Sequence, residues 1–323
     1  MKWHPLSSTY GAVAAIRNSL YQHKWLRQRS LQGPVISVGN LSTGGSGKTP
    51  FVILLGELLK ARGIAFDVLS RGYGRQTRGV FAVEPGGLPK DFGDEPLLIA
   101  RRLQVPVIVG EDRYPAGCFA EAKFKPQLHI LDDGFQHRKL ARDFDIVLVT
   151  PDDARDHLLP AGRLREPLSS VQRADAIVLT GGASAESFPL EGKIVWRVRR
   201  GIVLQNIPPR PVVFCGIARP QNFMLQLRTA GIDPIAEAFF RDHHPYTEKD
   251  ICDLLQLAER SNAGGFVTTE KDAVNLAGYL DALKPMAVVP VKMELSDAAN
   301  VVDTMLRVIA DRRSARERIP GKV

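Results

Sequence analysis

Residues 35–50 read VISVGNLSTGGSGKTP, and this stretch decides the fold. An apolar run leads directly into a glycine-rich turn that ends in Gly47-Lys48-Thr49, which is the pattern of a phosphate-binding loop between a strand and a helix. Glycines let backbone N–H groups curl around phosphate oxygens, and the helix that follows presents its positive N-terminal end to them. The pattern predicts that Lys48 reaches the β and γ phosphates of ATP and that Thr49 ligates Mg²⁺.

One position of this loop departs from the usual pattern. A glycine is expected four residues before Ser46, and the sequence has Ser42 there. A chance glycine-rich surface turn is the alternative interpretation. The preceding strand and Pro50, which the first turn of a helix tolerates, favour the phosphate-binding loop. The residues predicted to bind ATP are Ser42, Thr43, Gly44, Gly45, Ser46, Gly47, Lys48 and Thr49.

A second element of a phosphate site is expected at the end of another parallel strand. Residues 128–134 read LHILDDG, an apolar run that ends in two carboxylates. Either Asp132 or Asp133 would hold Mg²⁺ directly or through water, as in a Walker B strand. Because Asp-Asp-Gly is also good turn chemistry, this segment read alone would more often be an ordinary turn.

Apolar runs rich in valine and isoleucine alternate with helical patterns along the first two thirds of the chain. The predicted strands cover residues 35–38, 66–69, 105–109, 128–131, 146–149 and 177–179. Such alternation predicts an α/β fold of the P-loop NTPase-like class, with a mostly parallel sheet flanked by helices on both faces.

The rhythm breaks after Gly201, where Pro208, Pro209 and Pro211 indicate a linker. A second, smaller α/β domain is predicted beyond it, with a strand at 212–215, helices near 221–230 and 247–260, and an apolar run at 266–267. The predicted organisation is an N-terminal helix in 1–30, a P-loop domain in 31–207, the smaller domain in 208–311 and a basic, solvated tail in 312–323.

Composition narrows the class of partner without choosing one. A formal charge of +8 and a pI near 9.5 would suit nucleic acid, an anionic membrane or a phosphorylated substrate. Cys118, Cys215 and Cys252 are widely separated, so the sequence indicates neither a disulfide framework nor a zinc ribbon. No signal peptide and no apolar segment of spanning length are recognisable, which predicts a cytosolic protein.

The N-terminal segment carries an apolar stripe at helical spacing. Leu6, Tyr10, Val13, Ile16 and Leu20 recur on one face, with Arg17, Lys24 and Trp25 nearby. Such a helix could lie in a membrane interface or pack on the protein's own core, and periodicity alone favours the core.

Two short acidic segments have ordinary interpretations when they are read alone. In Gly93-Asp94-Glu95-Pro96, an aspartate that caps the following helix explains the pattern. Asp242-His243-His244 groups an acid with two imidazoles, but the spacing does not fit a zinc site, so a capped turn before the next helix is expected.

Taken in order, these segments resemble the tetraacyldisaccharide 4'-kinase family of lipid A biosynthesis. The similarity covers the chain from about Val35 to Ala273, and Ser42 fits the family's own variant of the loop. The segments that carry the resemblance are GNLS and GGSGKTP at 39–50, SRGYG at 70–74, GDEP at 93–96, DDGFQH at 132–137, LPAG at 159–162, GIA at 216–218, DH at 242–243 and TTEKD at 268–272.

The resemblance implies a reaction and a setting. The γ-phosphate of ATP would pass, with Mg²⁺, to the 4'-hydroxyl of a tetraacylated glucosamine disaccharide 1-phosphate at the cytosolic face of the inner membrane. The N-terminal helix would then be a peripheral membrane contact. The resemblance implies neither a nucleic-acid partner nor an obligate protein partner.

It also implies roles for individual residues. Asp94 would be the base that takes the proton of the sugar hydroxyl, and His243 from the second domain would orient or assist it. Lys48 would act on the transferred phosphate, and Thr49, Glu95, Asp132 and Asp133 would form the magnesium site. The candidates for the lipid headgroup are Arg71, Tyr73, Gln136, His137 and Arg165.

Two other classes of P-loop protein stay open on the residues alone. A GTPase or metallochaperone would need a base-reading Asn/Thr-Lys-x-Asp motif, and residues 269–272 read TEKD, with the lysine one place late. A nucleic-acid-associated ATPase would need aromatic stacking platforms, and aromatic residues make up only 7% of the chain.

Overall fold

The computed structural model describes residues 5–318, with the side chains of Pro5 and Glu317 excepted. The strands are β1 (Val35–Asn40), β2 (Phe66–Ser70), β3 (Phe81–Ala82), β4 (Val107–Val109), β5 (Leu128–Asp132), β6 (Phe144–Val149), β7 (Ala176–Leu179), β8 (Ile194–Ile202), β9 (Pro211–Cys215), β10 (Ala236–Phe239), β11 (Gly265–Thr269), β12 (Met286–Val289) and β13 (Val291–Leu295).

The α-helices cover both ends of the described chain and the connections between strands. They are α1 (Pro5–Gln22), α2 (Lys48–Lys60), α3 (Pro89–Phe92), α4 (Asp94–Leu103), α5 (Arg113–Phe124), α6 (Pro220–Thr229), α7 (Glu248–Arg260), α8 (Glu270–Leu276) and α9 (Ala298–Glu317). Short 3₁₀ helices lie at Pro151–Arg155, Leu168–Arg173, Ala185–Ser187 and Ala277–Leu283.

Two sheets organise these elements. The larger has the order β13-β8-β7-β6-β1-β5-β2-β4-β3, in which β3 and β13 pair antiparallel with their neighbours and the other pairs are parallel. The smaller sheet, β10-β9-β11-β12, is parallel throughout. The predicted mostly parallel sheet with a second, smaller α/β unit is confirmed.

The central strands of the large sheet are buried on both faces because helices cover each side. Every residue of β1, β2 and β5 is buried, which explains why these strands read as continuous apolar runs. The largest core cluster packs α2 and α4 on one face through side chains such as Phe51, Leu55 and Leu97. The β1 strand and the loop that follows it therefore stand on a rigid base.

The smaller unit ends earlier than the predicted range 208–311. Its last strand, β12, ends at Val289, after which β13 returns to the large sheet beside β8. The α9 helix then packs Val302 and Met305 into the large core. Pairing between strands this far apart in sequence leaves no local signal, so the sequence pattern placed this segment in the smaller unit.

The predicted tail 312–323 begins inside α9 rather than after it. Arg312 donates to Asp175 at 2.6 Å, and Arg316 donates to Asp143 at 2.7 Å. These ion pairs attach the last turns of the helix to the large unit, so residues 312–317 are the end of α9 and not a separate tail. Residues 319–323 of the predicted tail lie outside the described residues.

The α1 helix contacts the rest of the protein through small and polar residues and through the buried Tyr21, and it leaves most of its apolar stripe exposed. Ser7 accepts a hydrogen bond from the Ala161 N–H at 3.2 Å, and Gly11 lies against Leu158. Leu6, Val13 and Ile16 are about 60% exposed, at 60%, 61% and 60%. Packing of this stripe on the core, which periodicity alone favoured, is therefore wrong. Within residues 5–318, no helix is both long and apolar enough to cross a bilayer.

Candidate active site

The phosphate-binding loop joins β1 to α2 in the predicted context. Gly44, Gly45 and Gly47 have φ values of 71°, 67° and 87°, in the left-handed region that favours glycine. Lys48 opens α2, and its Nζ lies 3.0 Å from Asn40 Oδ1. The Asn40 amide in turn donates to the Ser42 carbonyl at 2.8 Å. Asn40 therefore fixes both the entry to the loop and the position of its lysine.

Gly39 shows why the residue before the loop must also be small. A Cβ built at Gly39 would lie 2.6 Å from the Cβ of Phe135 and 2.8 Å from its backbone nitrogen. This close approach brings the loop after β5 against the end of β1. Asp132 and Asp133 are thereby held beside the phosphate-binding loop.

The two carboxylates after β5 differ in environment. Asp132 is buried and accepts a hydrogen bond from Ser70 Oγ at 3.0 Å, while its Oδ1 is buried without a hydrogen-bond partner. Burial, with Glu95 and Asp133 nearby, raises the pKa of Asp132 to about 7. For Asp133, desolvation is outweighed by the cations Lys48 and Arg165, which hold its pKa well below the ordinary value.

This arrangement fits a magnesium site. A buried carboxylate oxygen without a donor, beside further acidic groups, is an environment that a divalent cation would stabilise. Thr49 and Glu95 line the same cleft as Asp132 and Asp133. No group of three or more His, Cys, Asp or Glu side chains that could hold a metal ion occurs among residues 5–318.

Asp94 and His243 form a pair across the cleft between the two sheets. The His243 Nδ1 lies 2.8 Å from Asp94 Oδ2 and 3.0 Å from Asp94 Oδ1. Asp94 is buried at the start of α4, where its Oδ1 also accepts from the Glu95 N–H at 2.9 Å. Burial acts to raise the pKa of Asp94, but His243, Lys271 and Asn275 together lower it. The carboxylate therefore stays ionised.

Lys271, at the start of α8, connects the other side of this pair. Its Nζ lies 3.1 Å from His243 Nε2 and 2.9 Å from Asp242 Oδ1. It also lies 3.8 Å from Asp94 Oδ2 and 3.9 Å from Glu95 Oε1. Since Nδ1 faces a carboxylate and Nε2 faces an ammonium, the imidazole is held as the Nδ1–H tautomer, with a lone pair on Nε2.

The lipid-headgroup candidates lie around the same cleft with different partners. Arg165 forms a salt bridge with Asp133 at 2.8 Å, and the Gln136 amide donates to the Asn40 carbonyl at 3.0 Å. Both side chains therefore brace the phosphate-binding loop. The Tyr73 ring lies 5.3 Å from the His243 ring, and burial, with Arg113 nearby, lowers the pKa of His137 to about 4.

One cleft of about 800 Å³ collects most of the predicted site residues. They come from the carboxyl ends of strands in both sheets, the usual place for ligands in parallel α/β folds. Two predicted residues do not line the cleft. Ser42 is buried behind the loop, and Asp94 lies behind His243. The predicted residues that do line it are Thr43, Gly44, Gly45, Ser46, Gly47, Lys48, Thr49, Arg71, Tyr73, Glu95, Asp132, Asp133, Gln136, His137, Arg165 and His243.

Several residues of the site were not among the predicted site residues. Lys271 lines the cleft, and Asn40 is buried beneath it and accepts a hydrogen bond from Lys48. Both lie inside segments that carried the family resemblance, so the sequence contained a signal for them. Arg113 and Arg219 line the cleft from α5 and from the loop after β9. Arg113 follows Glu111-Asp112 and Arg219 follows the segment 216–218, but neither local pattern indicates that these side chains face the cleft, which only the fold reveals.

Comparison with known proteins places this cleft in a family. The sequence model of the family described as tetraacyldisaccharide-1-P 4'-kinase matches residues 3–310. The tetraacyldisaccharide 4'-kinase of Koribacter versatilis is 49% identical over 320 residues, which cover 96% of this chain and 99% of that protein. The kinase of the same description from Aquifex aeolicus is 40% identical, with 85% and 89% covered.

A solved structure has the same fold over nearly the whole chain. It is the "apo" form of LpxK from Aquifex aeolicus in complex with ATP, and it matches with a TM-score of 0.78 and 36% identity. The match covers 94% of this chain and 98% of that one.

Proposed function

The chain belongs to the tetraacyldisaccharide-1-P 4'-kinase family, and we propose that its cleft transfers the γ-phosphate of ATP to the 4'-hydroxyl of a tetraacylated glucosamine disaccharide 1-phosphate. The observation that carries this proposal is the pairing of Asp94 with His243 beside the phosphate-binding loop. It provides a proton acceptor next to the site where the γ-phosphate would lie. The match over residues 3–310 does not support the alternatives, a P-loop GTPase or a nucleic-acid ATPase.

The phosphate side of the cleft positions the donor. Backbone N–H groups of residues 43–49 would hold the phosphates, and Lys48 would neutralise charge on the β and γ groups. Thr49, Glu95, Asp132 and Asp133 would hold Mg²⁺, which when bound supplies further neutralisation of the charge that moves during transfer. Phosphoryl transfer needs positioning and charge neutralisation more than covalent chemistry.

Asp94 and His243 would accept the proton of the sugar hydroxyl as one unit. The family resemblance gives Asp94 the role of base, whereas the geometry favours the imidazole, because His243 lines the cleft and Asp94 lies behind it. Nε2 carries the free lone pair, and the hydroxyl would take the place of the Lys271 ammonium there. Asp94 would hold the tautomer and stabilise the imidazolium that forms.

The disaccharide would enter from the side of the cleft near α1. Arg17 of this helix lines the cleft and donates to the Gln136 carbonyl at 2.8 Å. The exposed stripe of Leu6, Val13 and Ile16 lies on the same helix. Apolar side chains next to cations are typical of a helix that lies in a membrane interface. The acyl chains would stay in the cytosolic leaflet of the inner membrane while Arg71, Tyr73, Gln136, His137 and Arg165 contact the headgroup.

Product analysis tests the proposal. The purified protein, Mg²⁺ and γ-labelled ATP are incubated with tetraacyldisaccharide 1-phosphate in detergent micelles, and in parallel with single-stranded nucleic acid. We expect label in a lipid bisphosphate that depends on the disaccharide, and none in nucleic acid. Label that stays in free phosphate with both acceptors would overturn the assignment of the acceptor.

A further inference from the structure

Arg219 lies across the cleft on the phosphate-binding loop. It follows β9 and directly precedes α6, so it belongs to the smaller unit. A Cβ built at Gly45 would lie 2.9 Å from both Cδ and Nε of Arg219, and one built at Gly44 would lie 3.2 Å from the Cβ of Ala218. The arginine side chain thus rests on the central residues of a loop that belongs to the other sheet.

Most of the hydrogen-bonding capacity of this guanidinium is unused. NH1 lies 2.9 Å from Asp152 Oδ2, whereas Nε and NH2 are buried without a hydrogen-bond partner. The side chain of Arg219 is 16% exposed, and that of Asp152 is 56% exposed. An ion pair with so exposed a carboxylate stabilises little, and it does not account for two buried nitrogens whose N–H groups have no acceptor.

A second arginine adds to the excess of positive charge on this side of the cleft. Arg200, on β8, also lines the cleft, and its Nε is buried without a partner. Burial lowers the pKa of Arg200, and the positive charge of Arg219 lowers it further. Two arginines that face one cleft with free donors form an environment that favours an anion of more than one charge.

We propose that Arg219 is a phosphate-binding residue that contacts the β and γ phosphates of ATP from the smaller unit. The inference rests on the proposed kinase function. Central residues of a phosphate-binding loop cradle these two phosphates, and an arginine supplied to them from another segment neutralises the charge that develops during transfer. Lys48, the cation of the loop itself, lies 3.5 Å from Asp133, so its charge is already shared with a carboxylate.

The test compares three variants with the wild-type protein: Arg219→Gln, Arg219→Lys and Asp152→Asn. For each, Mg²⁺-dependent binding of a nonhydrolysable ATP analogue, of ADP and of AMP is measured by calorimetry, and kcat and KM for ATP are measured with the lipid disaccharide. Thermal unfolding without nucleotide shows whether each variant is folded. Binding of nucleotide by the wild type needs no lipid acceptor, so it separates this inference from the proposed acceptor.

We expect Arg219→Gln to weaken binding of the ATP analogue by about 10- to 100-fold, the range for hydrogen bonds to charged groups, and to lower kcat. ADP binding should weaken less, AMP binding should be unchanged, and Arg219→Lys should be intermediate. Asp152→Asn should leave ATP binding unchanged or tighter, because it frees the guanidinium.

If Arg219 only held the two units together through its ion pair with Asp152, the variants would behave differently. Asp152→Asn would then lower the unfolding temperature and weaken ATP binding as much as Arg219→Gln does. That outcome, or ATP binding within twofold of wild type in Arg219→Gln, would overturn the inference. Should Arg219→Gln fail to fold, Arg219→Lys and Asp152→Asn still decide between the two roles. The structural role predicts weaker ATP binding in Asp152→Asn, whereas the proposal predicts unchanged or tighter binding.

Discussion

The two sides of the cleft are built in different ways. On the large sheet, the neighbouring strands β1, β5 and β2 end side by side, so the phosphate-binding loop, Asp132 and Arg71 are positioned by the register of one sheet. On the smaller sheet, the loops after β9 and β10 supply Arg219 and His243, and the first turn of α8 after β11 supplies Lys271. These three reach the site only through the way in which the two units are held together.

The largest loss of turnover is expected from a substitution on the side of the cleft that the large sheet forms. Lys48→Ala removes the ammonium that lies at the start of α2, so turnover of the lipid disaccharide should fall to the limit of detection. The variant should stay folded, and thermal unfolding checks this, because Lys48→Ala also removes a hydrogen bond to Asn40 and an ion pair with Asp133. Lys90→Ala, at an exposed lysine outside the cleft, is the matched control and should keep full activity. Near-normal turnover by Lys48→Ala would show that the loop does not act on the transferred phosphate.

This difference between the two sides also determines what the sequence could predict. The phosphate-binding loop and the Asp132-Asp133 pair are contiguous patterns, so their positions could be predicted before the fold was known. Lys271 lies in a segment that carried the resemblance, but its contact with Asp94, like that of Arg219 with Gly45, joins residues more than a hundred positions apart, so no local pattern reveals either contact. The return of β13 to the large sheet escaped prediction for the same reason.

The next largest effect is expected at the contact between Asp94 and His243, which joins the two sides of the cleft. Asp94→Asn keeps the shape of the side chain but removes the charge that faces His243, and kcat should fall by about 10²- to 10⁴-fold, the usual contribution of an acid–base group. The KM for ATP should change little. Residues that act as a unit are not additive, so Asp94→Asn with His243→Ala should be little worse than the poorer single variant. Losses that multiply would instead indicate two independent sites.

A smaller effect is expected on membrane binding, for which α1 of the large unit is the proposed contact. Replacing Leu6, Val13 and Ile16 by serine removes the exposed stripe without touching the packed face, and binding to anionic vesicles should weaken by about tenfold or more. Ala12→Ser with Ala15→Ser, exposed on the same helix but off the stripe, is the control. Turnover in detergent micelles should change less than turnover on vesicles. Equal flotation of all three proteins would remove α1 from the membrane contact.

The smallest expected effect is a shift in the pH dependence of kcat. This shift shows whether His243 or Asp94 accepts the proton of the sugar hydroxyl. Desolvation acts to lower the pKa of His243, but the Asp94 carboxylate outweighs it, so the pKa lies above the ordinary value. Since a base acts only when it is deprotonated, kcat should fall as pH decreases through this raised pKa. Lys271 lowers the His243 pKa and Asp242 raises it, while the Tyr73 ring lies 5.3 Å away. Lys271→Met should therefore move the acidic limb to higher pH.

Asp94→Asn should move the same limb to lower pH, because it removes the charge that raises the pKa of the imidazole. The residual activity of this variant is sufficient for the measurement if kcat is followed with saturating ATP and lipid. If Asp94 itself were the base, its lowered pKa would place the wild-type limb in the acidic range, far from the titration of a histidine. Opposite shifts of the acidic limb in Lys271→Met and Asp94→Asn would identify His243 as the proton acceptor. A wild-type kcat that stays constant across neutral pH would identify Asp94 instead.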